Sequence, residues 1–296
     1  MCFNDVLNAF LRFKKRFAAP ALPPPPDAPR VPTAPRFWWE RRRDAYDADV
    51  YRDPRLFPGA TKRRSKRDNR LPARVLCLHG SGSNSDVTSV QLFALGAAER
   101  FVVDTLSGPV PAAPADATFA ILSDGKFYSW WDGGPDGSAD GALAGVLAFI
   151  ARHGPYDGLY GFSQGANLAA ILSAPGIAEH FGHEVSWSFV VCACGVDASN
   201  AAAREILYGG AAAERAAAEG DDDPFGPGAA KVPSLHLIGR KDGYRASSLR
   251  AAQCFRSPTV CYHDEGHELP PSLARDPAFH ETTRAFFERV SDNPVP

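Results

Sequence analysis

The 296-residue sequence lacks the motifs by which many enzymes hold a nucleotide or a metal ion. It contains no GxxxxGK phosphate loop and no HExxH zinc-binding helix. The Gly-Ser-Gly segment at 80–82 fits the start of a dinucleotide-binding fingerprint, but the third glycine is missing because Ser85 stands in its place. We therefore expect neither a metal ion nor an organic cofactor.

Cysteine is sparse, and its spacing is that of core residues. The six cysteines form no CxxC pair, and Cys77 and Cys192 lie in apolar runs typical of buried strands. This pattern argues against a disulfide framework or a zinc site and indicates reduced thiols, so we expect a cytoplasmic protein. The nucleus, or an organelle reached through a basic leader, are the alternatives. No apolar run approaches the roughly 18–20 residues of a transmembrane helix, so no membrane span is expected.

Charge is distributed unevenly along the chain. Residues 1–74 hold 18 Lys and Arg against 8 Asp and Glu, whereas residues 75–296 hold 14 against 26. Prolines crowd residues 20–35, and such a segment cannot form a packed core. We therefore predict a disordered, basic, proline-rich arm at 1–72 and a folded domain at 73–292. The arm either contacts an anionic surface weakly or is solvated without a partner, and no specific nucleic acid partner is expected.

Short apolar runs alternate with helical segments after the predicted arm. Such alternation predicts an α/β fold with a mostly parallel central sheet and helices on both faces. Residues 199–230 interrupt the rhythm and are either a lid above the sheet or a plain surface excursion. The predicted strands are 75–79, 101–103, 159–160, 189–192, 235–238 and 259–262, and the predicted helices are 89–99, 139–153, 164–173 and 277–290.

The strongest chemical signal is the segment Gly161-Phe162-Ser163-Gln164-Gly165, which fits G-x-S-x-G. A predicted strand ends just before it and a predicted helix starts just after it. A nucleophilic serine needs a tight, strained turn that lifts its hydroxyl off the sheet, and the crowded backbone of such a turn requires flanking glycines. We therefore predict that Ser163 is a nucleophile rather than part of a structural turn.

A serine nucleophile needs a base to take its proton. Where G-x-S-x-G serves as a nucleophile elbow, the chain order is Ser, then acid, then His. His267 follows the last predicted strand and lies in a loop before the final helix, so it is the predicted base. The rival histidines are His263, which continues that strand, His236 inside another strand, and His180 and His183 in a surface turn.

The acid of such a triad orients the imidazole and stabilises its charged form. Asp242 follows the predicted strand 235–238 and therefore projects at the carboxyl edge of the sheet, where α/β sites form. We predict it as the acid, with Asp197 and Asp264 as alternatives. A turn-capping aspartate before glycine is the other interpretation of Asp242.

Acyl transfer also needs donors for the oxyanion, each worth roughly 3–4 kcal/mol in measured cases. One predicted donor is the backbone N–H of Gln164, the residue after the nucleophile. The other is predicted in the glycine-containing loop after the strand 75–79, where we favour the N–H of Ser81. His79, at the start of this loop, is expected to hold it in place rather than to perform chemistry.

With these residues in hand, the domain resembles the FSH family of small serine hydrolases over roughly residues 73–290. The resemblance implies the α/β-hydrolase fold, a Ser-Asp-His triad that matches Ser163, Asp242 and His267, and hydrolysis of carboxylic esters. In some members the acyl chains are of medium or long length, and in others the acyl group is a polyketide. The segments that carry it are LCLHG (76–80), Gly108-Pro109, YSWW (128–131), GFSQGA (161–166), IGRKD (238–242) and EGHELP (265–270).

The sequence departs from the family pattern in two places. Small residues at 81–83 stand where many members carry a bulkier residue after His-Gly, which affects the shape of the acyl pocket. The leader 1–72 lies outside the family domain. Four aromatic side chains are either pocket-lining or core residues: Phe127, Trp130, Trp131 and Phe162.

Together these features predict a hydrolase that cleaves a small-molecule ester or thioester through a covalent acyl-enzyme. An acyltransferase on the same triad is one alternative, because the acyl-enzyme chemistry is shared. A catalytically silent hydrolase fold that only binds a ligand or a protein is the other.

Overall fold

Six parallel strands form the central sheet of the computed structural model, which describes residues 72–292 except 98–99, 124, 133–137, 186 and 197–225. The strands are β1 (Ala73–Leu78), β2 (Phe101–Leu106), β5 (Gly158–Phe162), β6 (Phe189–Ala193), β7 (Ser234–Gly239) and β8 (Pro258–His263), and β3 (Val110–Ala112) pairs with β4 (Phe127–Ser129) in a separate antiparallel ribbon. The sheet order is β2-β1-β5-β6-β7-β8, and every neighbouring pair in it is parallel. The predicted α/β-hydrolase fold, with its mostly parallel sheet, is confirmed.

Helices cover both faces of this sheet. They are α1 (Ser85–Ala94), α2 (Phe119–Leu122), α3 (Ala139–His153), α4 (Gln164–Leu172), α5 (Ile177–His180), α6 (Arg245–Gln253) and α7 (Pro277–Asp292), with a 3-10 helix at Pro271–Arg275. Alternate strand residues point to opposite faces, so Leu76 packs in the core under α3 and α4, whereas Val75 packs in the core under α1 and α7. The sheet is therefore buried on both sides, as parallel sheets require.

Most predicted boundaries lie within two residues of the observed ones, but three differ by more: the end of β2 and both ends of α1, which spans Ser85–Ala94 instead of 89–99. Strand β2 extends beyond the predicted 101–103 because Asp104, a break in the apolar run, is fully buried and paired with Arg74. Helix α1 starts at Ser85 rather than at 89, because the side chain of Asn84 accepts a hydrogen bond from the Val87 N–H at 3.0 Å and caps the helix.

Several expectations concern residues outside the described ranges. The arm 1–72 lies there apart from its last residue, and so does most of the predicted lid 199–230. The five described cysteines are buried free thiols. Within the described ranges no helix combines the length and the apolar character that crossing a bilayer demands.

Candidate active site

Ser163 occupies a strained turn between β5 and α4. Its backbone has φ 55° and ψ −117°, outside the regions that non-glycine residues favour. A methyl group on Gly161 would overlap the main chain of Gly165, and one on Gly165 would overlap the carbonyl of Leu78. The Ser163 N–H donates to the carbonyl of Ala193 at 2.9 Å. Both glycines of G-x-S-x-G are therefore required for the close packing of the turn.

The side chains of Ser163, His267 and Asp242 form one hydrogen-bonded row. His267 Nε2 lies 2.9 Å from Ser163 Oγ, and its Nδ1 lies 2.9 Å from Asp242 Oδ2. Because a carboxylate only accepts, Nδ1 carries the proton and Nε2 is left to accept from the serine hydroxyl. The carboxylate is buried, and its Oδ1 accepts from the N–H of Tyr244 at 2.8 Å. The structure thus brings together all three residues predicted for the triad.

The rival residues lie elsewhere or have other partners. His263 is buried beside Cys194, and His236 is buried with its Nε2 3.0 Å from Ser234 Oγ. The carboxylate of Asp264 is exposed and lies 3.1 Å from the guanidinium of Arg240. His180 is the last residue of α5, and His183 lies three residues after it. Asp197 is outside the described residues.

The loop after β1 passes directly against the nucleophile. A methyl group on Gly80 would lie 3.1 Å from Ser163 Cβ and 3.0 Å from Phe162 Cδ1, so glycine permits this approach. The backbone amides of Ser81 and Gln164 donate to no acceptor in the part of the chain that is described. Gln164 is the first residue of α4, where helix N–H groups lack intrahelical partners. Both amides predicted as oxyanion donors are therefore free to bind a ligand.

Residues 70–276 match the protein family described as "Serine hydrolase (FSH1)". The chain belongs to this family. Membership confirms the resemblance inferred from the sequence and the prediction of a serine hydrolase. The match spans all three members of the row and the loop after β1.

Three fungal proteins are among the named relatives of this FSH1 family member. Esterase FUS5 of Gibberella moniliformis is 28% identical over 67% of this chain and 80% of its own, and Esterase FPY3 of Fusarium mangiferae is 29% identical over 67% and 88%. Hydrolase phiM of a fungal species is 26% identical over 74% and 95%. These names agree with the prediction of a hydrolase that acts on ester bonds.

Three of the segments that mark the FSH1 family in this chain are tied to one another beside the nucleophile. Gln164 Oε1 accepts from the N–H of Trp130 at 2.8 Å, and its Nε2 donates to the carbonyl of Trp131 at 2.9 Å. The Trp130 indole N–H donates to the carbonyl of His79 at 2.8 Å, and the two rings stack at 5.0 Å. Hydrogen bonds among these three segments fix the loop after β1 relative to the elbow.

A second set of contacts holds that loop from its other end. Ser81 Oγ lies 2.7 Å from Ser129 Oγ, and the N–H of Gly82 donates to the same Ser129 oxygen at 3.3 Å. Ser83 exchanges two backbone hydrogen bonds with Tyr128, at 3.1 and 2.7 Å. The ribbon strand β4 therefore supports the segment that carries the candidate oxyanion donor.

His79 is a positioning residue, as its place in the sequence predicted. Its Nε2 accepts from the N–H of Gly108 at 2.8 Å, and its Nδ1 lies 2.5 Å from the carbonyl of Gly80. Burial lowers the pKa of this imidazole to about 4. The ring is therefore neutral at pH 7, with the proton on Nδ1, and both of its bonds brace the loop.

The aromatic side chains considered for the acyl pocket differ in their surroundings. Trp130 is fully buried, which favours a core role for it over a role in lining the pocket. Trp131 is half-buried against the same core. Phe162 lies 5.4 Å from the His267 ring, between ring centroids. Trp131, Phe162 and the half-buried Phe127 therefore stay as candidates for contact with an acyl chain.

Cys194 lies beside the triad although it was not among the predicted site residues. A simple strand alternation places it on the same face as Cys192, but its φ of 49° turns its side chain into the core on the opposite face. There its Sγ lies 3.6 Å from the carbonyl of Glu268, and burial, with the charge of Asp242, raises the pKa of the thiol to about 12. Its position at the carboxyl end of a central strand was the signal that could have revealed it.

Proposed function

We propose that this serine hydrolase cleaves carboxylic esters, or thioesters, through the triad of Ser163, His267 and Asp242 and a covalent acyl-enzyme. The observation that carries the proposal is the position of His267, which is 2.9 Å from the serine oxygen on one side and 2.9 Å from the carboxylate on the other. Each distance lies within the reach that general-base activation of a serine requires.

In the acylation step, Ser163 Oγ attacks the carbonyl carbon of the ester while its proton passes to His267 Nε2. The imidazolium that forms is stabilised by the buried carboxylate of Asp242, which also fixes the ring orientation. His267 then delivers the proton to the departing alkoxide or thiolate. The products of this step are the free alcohol or thiol and an acyl group on the oxygen of Ser163.

The negative charge on the substrate oxygen is stabilised by backbone amides. The N–H of Gln164 stands at the start of α4, where the helix dipole also favours negative charge. The N–H of Ser81 approaches from the loop after β1, which Gly80 allows to lie against the nucleophile. The Gln164 side chain also holds Trp130 and Trp131. Gln164 therefore contributes one oxyanion donor through its backbone and, through its side chain, braces the loop that supplies the second donor.

In the deacylation step, water takes the place of the leaving group. His267 accepts a proton from the water, the hydroxide attacks the acyl carbonyl, and Ser163 leaves with the proton restored. The carboxylic acid is released and the triad returns to its starting state. Neither step needs a group other than the side chains and amides already named.

The substrate class follows from the surroundings of the triad and from the relatives. The relatives FUS5 and FPY3 carry the name esterase, and the side chains of Phe162 and Trp131 next to the elbow are apolar. Apolar lining with a few directed polar groups is typical of sites for small organic ligands. We therefore propose a small ester with an apolar acyl group as the substrate.

The experiment that tests the proposal is a pre-steady-state assay with p-nitrophenyl esters of increasing acyl length. The wild type should release a burst of nitrophenol that matches the enzyme concentration, and the quenched protein should gain the acyl mass on Ser163. His267→Ala should abolish the burst, whereas His180→Ala, an exposed histidine of α5, should leave it unchanged. A folded wild-type protein with neither burst nor adduct would favour the silent binding fold, and acyl transfer to an added alcohol in preference to water would favour the acyltransferase.

A further inference from the structure

We infer that Cys194, Asp242 and His267 form a binding site for a thiophilic divalent cation such as Zn²⁺ or Cd²⁺, whose occupation switches the triad off. The site would be inhibitory, since no step of the proposed chemistry uses a metal ion. The binding itself stands on the geometry of the three side chains. Only the consequence, loss of turnover, rests on the proposed function.

The donor atoms of these three residues are already close together. The thiol sulfur, a carboxylate oxygen and an imidazole nitrogen all lie within 4.8 Å of one another. Tetrahedral zinc holds such ligands at about 2.0–2.3 Å, which places the ligand atoms roughly 3.3–3.8 Å apart. The sulfur would therefore have to approach the other two donors by up to about 1 Å, while His267 Nδ1 and Asp242 Oδ2, now 2.9 Å apart, would have to separate by about 0.4 Å to admit the cation.

The three donors come from the ends of different strands. Cys194 directly follows β6, Asp242 follows β7, and His267 lies in the loop after β8. The sulfur faces this cluster because of the positive φ of Cys194, and it also contacts the imidazole of His263, at 3.8 Å from Nε2. The His263 imidazole and the carbonyl oxygen of Glu268, which lies 3.6 Å from the sulfur, are therefore the protein donors for a fourth position, and water from the catalytic opening is the alternative ligand.

The chemistry of the donor set favours soft over hard cations. A thiolate, an imidazole and one carboxylate suit Zn²⁺ and Cd²⁺, whereas Mg²⁺ prefers oxygen ligands and retains its water. Coordination requires deprotonated ligands, so the thiol proton and the Nδ1 proton of His267 would be released to solvent. Cation binding thus replaces the proton between His267 and Asp242 with the metal ion.

This exchange explains why binding would stop catalysis. The ring of His267 is oriented by its bond from Nδ1 to Asp242, and a cation on Nδ1 removes that bond and the stabilisation of the imidazolium. Access is through the catalytic opening, because the His267 side chain is 29% exposed whereas that of Asp242 is 0% exposed. The cation therefore competes for the same histidine that must serve as the base.

The test uses CdCl₂ on the full-length wild type, with MgCl₂ as the hard-cation control. Cadmium should produce thiolate-to-metal charge-transfer absorbance and remove the far-downfield proton resonance of the His267 Nδ1–H, and a chelator should restore the resonance. It should also block labelling of Ser163 by a fluorophosphonate. Magnesium should do none of these. A resonance that persists in wild type saturated with cadmium would overturn the inference whatever the esterase assay shows.

The variants Cys194→Ser and Cys194→Ala identify the ligand, with Cys254→Ser as the matched control for loss of one thiol elsewhere. Relative to the activity of each variant without metal, cadmium inhibition should weaken at least about 10-fold in both Cys194 variants and stay unchanged in Cys254→Ser. Equal inhibition of Cys194→Ser, Cys194→Ala and wild type would contradict the assignment. The proton resonance and absorbance report binding even if the protein hydrolyses no ester tested, which separates this inference from the proposed function.

Discussion

The side-chain amide of Gln164 accepts from the N–H of Trp130 at 2.8 Å and donates to the carbonyl of the next residue at 2.9 Å. Gln164 follows the nucleophile directly, so this pair of bonds joins the elbow to the segment that packs on the loop after β1. The polarity of the two bonds fixes which amide atom is oxygen and which is nitrogen. A glutamine at this position thus connects both sides of the candidate oxyanion site.

Gln164→Ala should lower kcat/KM by about 10-fold or more, because the loop of Ser81 loses its support while the backbone N–H of position 164 is retained. Loss of two buried hydrogen bonds should also reduce the free energy of unfolding by about 1–3 kcal/mol. Gln164→Glu keeps the acceptor for Trp130, but it places a carboxylate oxygen against the carbonyl of Trp131 and a negative charge beside the oxyanion site, so its rate should fall at least as far as that of Gln164→Ala. Steady-state kinetics with a p-nitrophenyl ester, beside urea unfolding, measures both effects, and an Ala variant as active as wild type would contradict the bracing role.

Asp242→Asn should reduce kcat by about 10⁴-fold, the scale seen when the acid of a serine triad is replaced by its amide and the imidazole takes the wrong tautomer. The matched control is Asp264→Asn, which removes an exposed carboxylate paired with Arg240. This control should keep the wild-type kcat, because an exposed ion pair contributes little. If Asp264→Asn were the slow enzyme, the acid would be misassigned.

Trp131→Ala should change the preference for acyl length, because the half-buried indole is a candidate for contact with the chain. Trp130→Ala should instead destabilise the fold by about 3–5 kcal/mol, since it empties a fully buried site. A series of p-nitrophenyl esters from acetate to decanoate separates the two roles. An unchanged length profile in Trp131→Ala would remove Trp131 from the pocket.

The stability of the fold should fall as the pH decreases from about 6.5 toward 4. Burial lowers the pKa of His79 to about 4 and that of His236 to about 3, whereas both titrate near 6.5 in the unfolded chain. Between the folded and unfolded pKa values the unfolded state binds more protons than the folded state. Each histidine therefore lowers the free energy of unfolding by about 1.4 kcal/mol for every unit by which the pH falls. Urea unfolding at pH 7 and pH 5 should show that the free energy of unfolding differs less between the two pH values in His236→Gln than in wild type. His180→Gln, a change at an exposed histidine, should leave the difference unaltered.

Much of this architecture was predictable because its signals are local. Buried parallel strands appear as short apolar runs, and the crowding around Ser163 demands glycine on both sides, so both leave a mark in the residues themselves. The order of Asp242 and His267 after the nucleophile then limited the candidates to few positions. The extent of β2 was not predictable in this way, because Asp104 is tolerated through two buried partners distant in the sequence, Arg74 and Tyr156.

The contacts that were not predictable depend on distant parts of the chain. The core position of Trp130 follows from its bonds to His79 and Gln164, which lie 51 and 34 residues away. The orientation of Cys194 follows from one positive φ, which no strand alternation predicts in a non-glycine residue. Neither the core position of Trp130 nor the orientation of Cys194 could be predicted without the three-dimensional structure.

The most direct test of the central claim is labelling with a fluorophosphonate probe, followed by mapping of the modified peptide. An activated serine reacts with such a probe and an ordinary hydroxyl does not, because only the former has a base in contact with it. The account predicts labelling of the wild type at Ser163, and loss of labelling in Ser163→Ala and in His267→Ala. A folded wild type that does not label, or a Ser163→Ala protein that still does, would contradict the assignment of the nucleophile.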